Sequence, residues 1–93
     1  MSMDEAVQAV VNKSKWYPIS AFSFQNNYYV LVTPFKDFKT DEDVEACYYP
    51  VVDGIVGEPI NALGLFLTAN DIDGMTNAAK KARSYKNSTI FPR

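Results

Sequence analysis

The chain has 93 residues, of which 47% are apolar, 14% aromatic and 22% charged, with a formal net charge of −2, one cysteine and no histidine. That length holds one domain, in which roughly 60–65% of the unfolded chain's surface is buried on folding, and the apolar content excludes a disordered chain. So small a net charge gives no global field toward nucleic acid or an anionic membrane, so partners are selected locally.

Ser2 followed by Glu5 forms a capping box, and Met3, Ala6, Val7, Val10 and Val11 recur at helical spacing, which predicts an amphipathic helix over about 3–12. From Trp16 to Phe35 aromatic and β-branched residues gather about one turn signal and predict a β-hairpin. With Asn26-Asn27 as the turn, Phe24 lies opposite Tyr29, Phe22 opposite Leu31 and Ser20 opposite Thr33. Gln25/Tyr28, Ser23/Val30 and Ala21/Val32 then point to the other face. Moving the turn to Gln25-Asn26 re-pairs the aromatics without making either face polar, so both faces need cover.

Five acids lie between Asp37 and Glu45, and Thr40 with Asp43 can cap a single helical turn there. Ala46 to Val52 reads as a third strand, with Pro50 marking an edge. Asp53-Gly54 is a type I′ turn signal leading to a short fourth strand. Ile60 to Leu67 fits either a helix or a strand, and length and context favour a strand at 63–67. Thr68 as a cap, Asp71 three residues on, and Leu67 with Ile72 as a hydrophobic staple predict a second helix from Ala69. Its buried stripe is Ile72, Met75, Ala79 and Ala82. Residues 1–85 form the expected domain and 86–93 a polar tail that either stays loose or docks through Ile90-Phe91.

The chemistry-bearing residues exclude more than they suggest. Without histidine there is no triad, metalloprotease or zinc-finger site. The glycines at 54, 57, 64 and 74 are too scattered for a phosphate-binding loop. Cys47 has no histidine to activate it and reads as a packed thiol. Asp41, Asp43 and Glu45 alternate like calcium ligands, but Ala46 and Val52 stand where that loop needs Gly and Glu. The expectation is a chain that is not an enzyme and takes no cofactor and no metal. A lone cysteine, acids at Asp4 and Glu5 in place of a signal peptide's basic residues, and no run of ~18 apolar residues point to the cytoplasm and to no membrane.

Charge is distributed unevenly. Lys80, Lys81, Arg83, Lys86 and Arg93 put five of the nine basic residues in the last fourteen, against an acidic patch of Asp37, Asp41, Glu42, Asp43 and Glu45. The order of helix, strands and helix resembles that of the double-stranded RNA-binding domain, whose second helix starts with basic residues; here that start carries Asp71 and Asp73. Nucleic-acid binding by the basic patch is therefore the second reading, and a small-ligand pocket lined by aromatics the third.

The fold expected is a two-layer α+β domain: an antiparallel sheet of four to five strands with an N-terminal and a C-terminal helix, in the order α-β-β-β-β-(β)-α. Two helices on one face would leave the aromatic-rich sheet face, or the edge with Trp16, Tyr17, Tyr48 and Tyr49, uncovered. The leading reading is thus a non-catalytic interaction module that self-associates or binds a protein partner there. The alternative packing puts one helix on each face and leaves a monomer.

Overall fold

A computed structural model describes residues 1–37 and 45–92. It is an α+β fold in the expected order: α1 (Met3–Ser14), β1 (Tyr17–Phe24), β2 (Asn27–Thr33), β3 (Cys47–Val52), β4 (Ile55–Val56), α2 (Ala62–Leu67), α3 (Ile72–Lys80) and β5 (Arg83–Ser84). The capping box that starts α1 is formed: Glu5 N–H donates to Ser2 Oγ at 3.2 Å and Ser2 N–H to Glu5 Oε1 at 2.9 Å. Lys15 ends the helix in the left-handed region at φ 63°, its N–H donating to the Val11 carbonyl.

All strands of the sheet are antiparallel, in the order β4-β3-β2-β1-β5. The β1–β2 turn is Gln25-Asn26, at φ 52° and 66°, rather than Asn26-Asn27. Phe24 therefore pairs with Asn27, Phe22 with Tyr29 and Ala21 with Val30. The left-handed Gln25 is uncommon for a residue with a side chain. In return, Phe22 stacks on Tyr29 with ring centroids 5.2 Å apart. From Ser20 to Leu31 the two-residue slide keeps each residue on its expected face, because side chains alternate with period two; the register shifts between Pro18 and Ser20, so Pro18 pairs with Val32 and Tyr17 with Thr33.

Those two faces carry two cores. On one, Ala6, Val7, Val10 and Val11 of α1 pack with Ala21, Val30, Val32 and Val51 of the sheet and with Tyr85. On the other, Phe22 and Tyr48 pack with Leu65 of α2 and Met75 of α3, with Tyr29, Leu31, Phe66 and Ala79 around them. Helices thus cover both faces, and the expected two-layer packing becomes three layers. The cause is visible in the hairpin, whose faces are both too apolar to be left in water.

The second hairpin turns at Asp53-Gly54, φ 53° and 77°, as expected of a type I′ turn. The edge beyond β3 is closed further by Tyr48 N–H to the Ile60 carbonyl (2.9 Å), Ile60 N–H to the Tyr48 carbonyl (2.8 Å) and Gly57 N–H to the Pro50 carbonyl (2.8 Å).

The expected strand at 63–67 is instead α2. Asn61 caps it, Oδ1 accepting from Gly64 N–H at 2.6 Å. Of the three alternating leucines only Leu65 is buried. Thr68 closes α2 rather than opening the next helix, its hydroxyl donating to the Gly64 carbonyl at 2.6 Å. The N-cap of α3 is Asp71, whose Oδ1 accepts from Gly74 N–H at 2.9 Å. Leu67 and Ile72, the expected staple, are both exposed. Helix α3 stops at Lys80, and Arg83–Ser84 joins the sheet beside β1. The tail folds back over α1: Ile90 packs on the α1 core and Gln8 Nε2 donates to the Phe91 carbonyl at 3.3 Å.

Candidate interaction surface

Helix α2 has two unlike sides. Leu65 points into the core, and Phe66 reaches the aromatic cluster, its ring 6.4 Å from Phe22 in a stacked pair and 6.0 Å from Tyr48 edge-on. Leu63 and Leu67, one turn apart on a shared side, are 71% and 65% exposed, and Ile72 at the start of α3 is 45% exposed. Three branched aliphatic side chains thus face water within ten residues. The stretch from Pro59 to Asn70 holds no charged side chain, in a chain where 22% of residues are charged. That uncharged run was the available signal, and the alternating leucines, read as a strand, concealed it.

The four aromatics expected to anchor a partner do not form one surface. Tyr48 is 8% exposed inside the α2–α3 core. Its neighbour Tyr49 and Trp16 are half-buried against the α1 core, on the opposite side of the sheet. Tyr17 is half-buried on β1, opposite Thr33. Burial raises the Tyr48 and Tyr49 hydroxyls above the ordinary tyrosine range, and burial followed by Glu45 raises the Cys47 thiol in the same way.

Of the acidic patch, Asp37 and Glu45 are exposed, and Asp41, Glu42 and Asp43, with the cap expected at Thr40, lie outside the described residues. No group of acids or cysteine among the described residues is placed to hold a metal ion. No helix among them is long and apolar enough to cross a membrane.

The basic patch is divided. Lys80, Lys81 and Lys86 are exposed, and Arg93 lies outside the described residues. Arg83 is partly engaged: its Nη1 is 3.3 Å from Asp4 Oδ1, and its guanidinium lies 5.4 Å from the centre of the Tyr85 ring. Tyr85, buried at 4% exposure, donates its hydroxyl to the same Asp4 oxygen at 2.5 Å. This trio ties the first turn of α1 to β5 and lines an open, polar cavity of about 540 Å³.

Burial, then the hydrogen bond to Asp4 and its charge, push the Tyr85 hydroxyl up to about 12, against a smaller opposite effect of Arg83. A folded-state value above the unfolded one, about 10, stabilises the fold fully below pH ~10. That contribution disappears between pH ~10 and ~12. Urea unfolding across this window is expected to show a steeper loss of stability for the natural chain than for Tyr85→Phe. At neutral pH the same variant is expected to be less stable by about 1 kcal/mol, from the lost hydrogen bond. Equal alkaline slopes for the two proteins would refute the assignment.

The chain matches no protein-family model, and no curated protein or solved structure is found to be similar to it.

Proposed function

We propose that the chain is a small, non-catalytic interaction module that self-associates through α2 and the start of α3. The supporting observation is the exposure of Leu63 and Leu67 in a stretch without charge, with Ile72 exposed just beyond it between Asp71 and Asp73. In a two-fold contact each residue meets the same patch on the other copy, so charged groups would oppose their own kind. The uncharged side of α2 meets its own copy without that penalty. The aromatic residues act from inside, holding α2 in place, rather than as anchors on a sheet face. A reducing cytoplasm suits the half-buried, unpaired Cys47.

Magnitude decides how tight the contact is. The three side chains expose rather less than two full side chains' worth of surface per copy. At ~1.5–3 kcal/mol for each side chain buried, two copies gain about 5–10 kcal/mol, against an association cost of about 4–15 kcal/mol. Only toward the favourable end of both ranges does a surplus of about 5–6 kcal/mol remain, which corresponds to a weak, reversible dimer with Kd on the order of 100 μM.

Sedimentation velocity from low micromolar to millimolar protein is expected to show the monomer giving way to dimer, with little dependence on salt. The double variant Leu63→Glu, Leu67→Glu replaces two exposed residues and should stay within ~0.5 kcal/mol of the natural stability while remaining monomeric. A natural chain that is monomeric at millimolar concentration would overturn the proposal.

A further inference from the structure

At the β1 edge, between the first turn of α1 and α3, lies a groove of about 420 Å³ whose lining includes Met3, Phe22, Ser23, Ala78, Lys81 and Arg83. Three observations about it converge. The first is an open strand edge. β5 pairs with β1 only at Ser20 and Ala21, and Tyr85 N–H donates to the Ile19 carbonyl, so Phe22–Phe24 have no strand paired with them on that side among the described residues. Phe24 and Asn27 flank the two-residue turn and bond to each other, and bonding direction alternates along a strand. The Ser23 N–H and C=O therefore point outward, away from β2.

The second observation is chemical. Met3, Phe22 and Ala78 give the groove an apolar lining, and Lys81 and Arg83 give it two cations. Lys81 makes no ion pair among the described residues. Arg83 shares one N–H with Asp4, a pair exposed at 64% and 58% and hence weak, and its guanidinium has further donors. The third is that the last turn of α3 is internally satisfied: Lys81 N–H donates to the Ala78 carbonyl and Ala82 N–H to the Ala79 carbonyl.

We propose that this groove binds the carboxy-terminal residues of an extended peptide from a partner protein. The peptide backbone pairs with Ser23, its last side chain lies on Met3 and Ala78, and its terminal carboxylate meets Lys81 and Arg83. Strand addition with a charged end is an established mode of peptide recognition. The unpaired backbone groups of Ser23 select a peptide over a fatty carboxylate, which has no amide to offer them. The groove is separate from the α2 surface and does not depend on self-association.

The test is an amide-resolved NMR titration of the full chain with an acetylated pentapeptide ending in valine, as the free acid and as the C-terminal amide. The free acid is expected to shift the Ser23 and Lys81 amides saturably and to slow hydrogen exchange at Ser23 N–H. The amidated peptide and the Lys81→Gln variant should each bind about tenfold more weakly, the loss of one charge-assisted hydrogen bond. Ser23→Pro, which removes the outward donor on an edge that tolerates proline, should weaken binding of the free acid about tenfold, read from the Lys81 amide shifts.

Unshifted amides at millimolar peptide would overturn the proposal, as would equal binding of acid and amide. Octanoate binding as well as the peptide would make the groove a small-amphiphile pocket instead. Concentration-dependent shifts of the same amides without peptide would assign the edge to a second copy of the chain.

Discussion

Replacing Phe22 by alanine is expected to lower the stability of the fold by about 3–5 kcal/mol, the cost of a large-to-small change at a fully packed aromatic site. Phe22 is 2% exposed. Its ring stacks on Tyr29 at 5.2 Å and on Phe66 at 6.4 Å and meets Tyr48 edge-on at 5.8 Å, so one side chain joins β1, β2, β3 and α2. A domain of this length has about 5–14 kcal/mol in total, so the loss is a large share of it. Urea unfolding followed by Trp16 fluorescence should show a much lower midpoint with an unchanged slope. Phe22→Leu, which keeps most of the apolar volume, should lose far less. A cost below about 1.5 kcal/mol for alanine would mean that the aromatic cluster collapses to fill the space and that α2 is held by Leu65 instead.

Legibility in the sequence followed the range of the interactions. The α1 capping box closes within three residues, and the Asp53-Gly54 turn needs only its own backbone preference; both were readable. The faces of the hairpin were readable even though its turn lies one residue earlier than expected, because alternation survives the slide. Leu63, Leu65 and Leu67 were not decidable locally, since their spacing suits a strand. Only the Asn61 side chain on Gly64 N–H, a cap with no charged residue behind it, marks the helix. Thr68 and Asp71 both have the chemistry of a cap, and which one opens α3 is set by where α2 ends. Tyr48 and Tyr49, as adjacent strand residues, had to point to opposite faces, a constraint that rules out both as anchors on one surface. The pairing of Arg83 with Asp4 spans 79 positions and leaves no local trace in the sequence.

Because helices cover both faces of the sheet, the two surfaces proposed to meet partners lie at its margins: the outer side of α2 and the open end of the β1 edge. The two differ in kind. Leu63 and Leu67 offer area without direction, which suits a weak contact insensitive to salt. The β1 edge offers two directed backbone groups beside two cations, which suits a specific contact that weakens with salt. Ionic strength thus separates them in a single set of measurements.

Val10→Asp is expected to unfold the chain at neutral pH. Ala6, Val7, Val10 and Val11 are fully buried, and the aspartate would sit between α1 and the sheet among Val30, Val32 and Val51. Removing an unpaired carboxylate from water costs several kcal/mol, comparable to the whole stability of a domain this size. The carboxyl can escape only by taking up a proton, so its folded-state value rises above the unfolded 3.9 or so. The sign of the linkage follows: the penalty is smallest below pH ~4 and grows as pH rises through the raised value. Circular dichroism of Val10→Asp should therefore recover helical and strand signal on acidification, relative to the natural chain at the same pH, whereas Val10→Asn should show no such recovery. A Val10→Asp chain that stays folded at pH 7 with an unperturbed near-ultraviolet spectrum would place α1 off the sheet. One face of the sheet would then be free for the partner, as the two-layer reading required.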